Sequence, residues 1–123
     1  MGRNAAPAPA GQSAAQEDLV VKFARLMRQR YGARLYLFGS RARGTPQRQS
    51  DYDVVAVARS FESQPRLDRV GDRYRLWYEA GGRGIGLDLH CFTPEEFRKE
   101  LVGLGFVGMA KRRGELIRVQ ARG

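Results

Sequence analysis

LYLFGSRARGTPQRQSDYDVVAV, residues Leu35 to Val57, decides the fold. The run Leu35 to Phe38 is apolar and stops abruptly at Gly39-Ser40. Asp51 and Asp53 follow, and a second apolar run, Val54 to Val57, comes straight after them. Each run has the length and composition of a buried strand. Gly39 lets the backbone turn tightly and approach another group closely. If a helical turn opens at Ser40, its first N–H groups and the Ser40 hydroxyl offer a phosphate site. Arg41, Arg43 and Arg48 put three guanidinium groups beside that site, and arginine suits bidentate phosphate contacts. Asp51 and Asp53 are two apart on an extended chain, so they share a face. Two carboxylates facing one way make poor core, but they suit a hard cation such as Mg²⁺ that takes oxygen ligands and substrate phosphates.

Working outward, the chain before this stretch divides in two. Met1 to Gln12 is small residues and proline, which predicts a disordered tail, with a single domain over residues 13–120. Ser13 and Gln16 have the spacing of a capping box. Leu19, Val20, Phe23, Leu26 and Met27 recur at helical spacing, and Gly32 closes that helix. After the second strand, Pro65 predicts the first position of a helix whose apolar face is Leu67, Val70, Tyr74 and Trp77. A glycine-rich turn, Gly81 to Gly84, leads into a strand over Ile85 to Phe92. On that strand Asp88 and His90, the chain's single histidine, share a face. Thr93-Pro94-Glu95-Glu96 is a capping box with proline at the first helical position. A short helix over Phe106 to Arg113 and an edge strand over Leu116 to Val119 complete the pattern.

The string GSRARG…SDYD, with Gly39-Ser40 and then Asp51-Tyr52-Asp53, resembles the nucleotidyltransferase superfamily typified by DNA polymerase beta. It is most similar to the smallest members, the minimal nucleotidyltransferases or MNT domains. The resemblance covers roughly Arg34 to Val119 and implies an α/β fold: one small mixed β-sheet with helices packed on it. It implies a third carboxylate on a later strand, and Asp88 in GIGLDLHCFTPEEF stands in that place. On this resemblance Asp51, Asp53 and Asp88 are the catalytic and metal-holding residues, with two Mg²⁺ ions. Gly39, Ser40, Arg41 and Arg43 would bind the nucleotide, with ATP as substrate. Stand-alone domains of this kind often act as antitoxins of type VII toxin–antitoxin pairs, and the resemblance implies that role here. They transfer AMP to a tyrosine of a HEPN-type RNase toxin and release pyrophosphate. Two other readings stay open: a small-molecule nucleotidyltransferase of the aminoglycoside type, and a non-catalytic module that binds nucleotide or toxin.

Composition narrows the classes. At 123 residues the chain holds one core and leaves no room for a separate acceptor-binding domain, so a partner is expected to present the acceptor. A net charge of +9 favours anionic partners. No basic run is interleaved with aromatic residues, so nucleic acid is not the favoured partner. Cys91 is the one cysteine, which excludes an internal disulfide and suits a reducing cytoplasm. No segment approaches the ~18 apolar residues of a membrane span.

Overall fold

The computed structural model describes residues 8–43 and 51–121. Helix α1 (Ala8–Tyr31) leads into strand β1 (Arg34–Phe38), the one-turn helix α2 (Ser40–Arg43) and strand β2 (Tyr52–Val57). Two 3₁₀ turns, Arg59–Ser63 and Arg66–Asp68, then precede helix α3 (Arg73–Glu79). Strand β3 (Leu87–Phe92), helices α4 (Pro94–Leu101) and α5 (Phe106–Arg112), and strand β4 (Ile117–Val119) finish the chain. The four strands form one sheet in the order β3-β2-β1-β4. β1 runs antiparallel to β2 and β4, whereas β2 and β3 are parallel, so the sheet is mixed, as expected.

Alternation along the strands sorts the core onto two faces. Leu35, Val54, Ala56, Leu89 and Cys91 pack against Phe23 and Met27 of α1 and Leu76 and Trp77 of α3. Trp77 makes edge contacts with Phe23 (5.1 Å) and Tyr52 (5.3 Å). On the other face Val55, Val57 and Phe92 meet Phe97 of α4 and Val107 of α5. β2 is therefore covered on both sides, which explains its near-continuous apolar run. Full burial of each large side chain here is worth about 1.5–3 kcal/mol.

Three boundaries differ from the sequence reading. Helix α1 begins at Ala8, not after Ser13, so Ala8 to Gln12 are helical and Ser13 is not the cap. Pro9 falls in the first turn of this helix, where its missing N–H and fixed φ are tolerated. Only residues 1–7 of the supposed tail are left, and they lie outside the described residues. The single helix expected from Pro65 is broken into a 3₁₀ turn and α3, with Gly71 between them. Arg69, in the break, turns inward to bond the Gln64 carbonyl (2.9 Å), the Cys91 carbonyl (3.3 Å) and the Glu96 carboxylate (2.6 Å). β3 starts at Leu87 because Ile85 belongs to the preceding turn: its N–H donates to the Gly82 carbonyl and its own carbonyl accepts from the Trp77 indole. The capping box at Thr93 and Glu96 forms as the sequence predicts.

Candidate active site

Strand register places the acidic residues. Phe38 of β1 stands opposite Asp53 of β2, and Asp53 stands opposite Asp88 of β3. Residues directly opposite one another share a face, so Phe38, Asp53 and Asp88 form a row across one end of the sheet. Asp51 immediately precedes β2 and is exposed. Tyr52, between the two aspartates, is buried and faces the α1 and α3 side.

Two glycines make room for this row. Gly39, at the end of β1, has φ +78°, a conformation side-chain-bearing residues rarely adopt. A Cβ there would stand 2.5 Å from the Asp53 Oδ2. Gly86, just before β3, is in close contact with the Asp51 carboxylate, and a Cβ at that position would overlap it. The carboxylates thus occupy cradles that any other residue would fill.

The row is electrostatically crowded. Burial, followed by the charges of Asp88 and Asp51, pushes the Asp53 carboxyl above its ordinary value, with His90 and Arg41 partly offsetting the effect. The Asp88 carboxylate is largely exposed and lies 3.3 Å from Nε2 of His90. The His90 ring in turn contacts Phe106 of α5 (4.6 Å) and Phe38 (6.0 Å), and these two phenylalanines are 5.0 Å apart. On the Tyr52 side, the Arg41 guanidinium stacks on the Tyr52 ring at 4.0 Å.

Gly39, Asp51, Asp53 and Asp88 therefore meet at one end of the sheet. The backbone puts Ser40 at the first position of α2 and Arg43 at its last, while Arg48 lies outside the described residues. Among the described residues, no three His, Cys, Asp or Glu side chains form a set ready to hold a metal ion. The donor chemistry nonetheless fits a hard divalent cation: three carboxylates at one end of the sheet, with Asp53 pushed toward protonation by burial and then by the charges of the other two. Sequence reasoning missed Gly86, the Arg41–Tyr52 stack and the Phe38–His90–Phe106 cluster. The glycine two residues before Asp88 was the available signal for the first. The other two depend on tertiary contacts.

The fold and this carboxylate row define a nucleotidyltransferase-type domain. The family model for the nucleotidyltransferase domain matches residues 20–112, and the chain belongs to that family. Among solved structures, a provisionally assigned nucleotidyltransferase from Sulfolobus solfataricus superposes with a TM-score of 0.57 at 18% identity, covering 98% of this chain and 94% of its own. A second, a toxin–antitoxin structure with AMP-PNP, superposes with a TM-score of 0.50 at 22% identity, covering 86% of this chain and 73% of its own. At these identities both likenesses establish the fold. None of the curated proteins compared with the chain matches it. No helix among the described residues is long and apolar enough to cross a membrane.

Proposed function

We propose that this chain transfers AMP from ATP to a hydroxyl group of a partner toxin, and so acts as the antitoxin of the pair. The observation that carries the reading is the Asp53–Asp88 pairing across parallel strands, beside the Gly39 turn. Membership in the nucleotidyltransferase family supports transfer of a nucleotide. The fold shared with a toxin–antitoxin structure containing AMP-PNP supports the adenine nucleotide and the kind of partner. The HEPN identity of that partner, and a tyrosine as its acceptor, come from the resemblance to MNT domains.

In the proposed reaction the acceptor oxygen attacks the α-phosphorus of ATP. A new P–O bond forms as the bond from the α-phosphorus to the α–β bridging oxygen breaks. Pyrophosphate leaves, and the hydroxyl proton passes to the Asp88 carboxylate. Gly39 and the backbone of Ser40 hold the triphosphate, with Arg41 and Arg43 beside it. Asp51, Asp53 and Asp88 would hold Mg²⁺, which supplies charge neutralisation on the triphosphate. Positioning and electrostatics then supply most of the rate enhancement.

The test is co-expression with a HEPN toxin from the same operon, followed by intact-mass analysis of the toxin. The toxin should gain one or more adenylyl groups with the wild-type chain and none with Asp53→Asn. Neutralisation of a toxin whose mass is unchanged would discard the enzymatic reading.

A further inference from the structure

We propose that the loop between α4 and α5 is a docking knob for the partner protein. Val102 and Leu104 enter an apolar pocket of that protein, and the lysines and arginines around them face carboxylates at the pocket's rim. This rests on the reading that a partner protein presents the acceptor. Val102 and Leu104 are 82% and 91% exposed, more than any other large apolar side chain among the described residues. One exposed aliphatic residue is ordinary. Two on the short connection 102–105, continued by the exposed Phe106 and Met109 of α5, form the kind of patch that marks an interaction site. The loop also holds its shape. The Gly103 N–H donates to the Glu100 carbonyl (3.1 Å), and the Arg112 guanidinium reaches back from α5 to the Gly103 carbonyl (3.1 Å). Gly108 lies against that same carbonyl, and a Cβ there would overlap it. Both aliphatic groups thus stand on a backbone pinned at its centre, so little loop entropy opposes a partner that covers them.

Charge and position together define the occupant. Between residues 98 and 113 the basic side chains are Arg98, Lys99, Lys111, Arg112 and Arg113, against the single acid Glu100. All five basic residues are exposed. A second copy of the chain would bring this positive surface against itself, which like charges oppose. A pocket rimmed with Asp and Glu is complementary to it. An anionic membrane would match the charge as well, but position favours a protein. Leu104 is two residues from Phe106, whose ring meets His90 at 4.6 Å, and His90 lies 3.3 Å from the Asp88 carboxylate. A protein seated on the knob therefore lies against the aromatic flank of the carboxylate row and brings its own hydroxyl groups there. A bilayer in the same place would stand between the row and a soluble acceptor.

The test uses the full chain, with the HEPN toxin of the same operon as the probe and binding followed by calorimetry without ATP. The double variant Val102→Ser, Leu104→Ser should bind the toxin about tenfold or more weakly, the least expected from losing one such buried side chain. Its unfolding midpoint and ATP affinity should match the wild type. The pair Lys99→Glu, Lys111→Glu should also bind more weakly, and its deficit should shrink as salt rises. Unchanged toxin affinity in the serine variant, or no toxin binding by the wild type, would overturn the proposal. Vesicles of phosphatidylcholine and phosphatidylserine supply the other arm. If they bind the wild type but not the serine variant, and the toxin binds both equally, the knob is a membrane contact and the proposal falls. Binding needs no AMP transfer, so the two readings fail separately. Transfer to a toxin that binds the serine variant normally would sink the knob alone. Toxin binding that the serine variant loses, with no mass gained by the toxin, would sink the enzymatic reading alone.

Discussion

Burial and the charges of Asp88 and Asp51 all push the Asp53 carboxyl upward, which sets the sign of its contribution to stability. The folded chain holds a proton on Asp53 more tightly than the unfolded chain does. Stability from this group is therefore present at low pH and is lost as pH rises from the ordinary value of 3.8 through the raised folded value. In EDTA at neutral pH, Asp53→Asn should be more stable than the wild type, and the difference should vanish below about pH 4. Denaturant unfolding across a pH series checks this, and a less stable Asp53→Asn at neutral pH would contradict it. At Gly39 the constraint is steric. Gly39→Ala forces a side chain into φ +78° and drives its Cβ against the Asp53 carboxylate. It should cost about 1–3 kcal/mol in backbone strain and weaken ATP binding as well. Unfolding and ATP titrations together read both effects, and wild-type values in each would show that the turn tolerates a side chain. Both residues could be singled out from the sequence by local spacing. The pairing of Asp53 with Asp88 could not, because it depends on a parallel register that no local pattern encodes.

Helix α4 and the edge strand β3 are tied together by Arg69 and Glu96. The Arg69 side chain is buried, and its partner carboxylate is 31% exposed and also closes the capping box of α4. Burial pushes the Glu96 carboxyl up, but hydrogen bonds from Arg69 and the Thr93 backbone outweigh it and hold the group below 4.5. This stabilisation is present above the ordinary value and is lost as pH falls through the lowered one. Glu96→Gln leaves the Arg69 guanidinium buried without its countercharge. The expected loss is about 1–3 kcal/mol, less than for a fully buried pair because Glu96 is partly solvated. Denaturant unfolding at neutral pH measures it, and a variant as stable as the wild type would mean that solvent replaces the pair. The box itself was legible in Thr93-Pro94-Glu95-Glu96, as were β1, β2 and β3, because alternation and caps are local signals. The break before α3 was not. The apolar spacing of Val70, Tyr74 and Trp77 reads as one helix, whereas the structure has Gly71 in the break and Arg69 bonded to Glu96 and the Cys91 carbonyl, a tertiary contact that no local pattern encodes.

Across the described residues, a four-stranded sheet covered by helices on both faces leaves the carboxylates of the candidate site at one end. The sequence makes the core and the acidic motif readable because both follow strand periodicity. It does not make the aromatic flank readable, since Phe38, His90 and Phe106 lie in three separate elements. Nor does it encode the acceptor. The account stands on the carboxylate row as the place where AMP is transferred. The most direct measurement follows label from α-³²P-ATP, with Mg²⁺, onto the proposed toxin partner for the wild type, Asp53→Asn and Asp88→Asn, with each chain first shown to be folded. Loss of either carboxylate should cost several kcal/mol of transition-state stabilisation, a drop of about 10³-fold or more in transfer rate. Transfer at close to the wild-type rate by either variant would contradict the account.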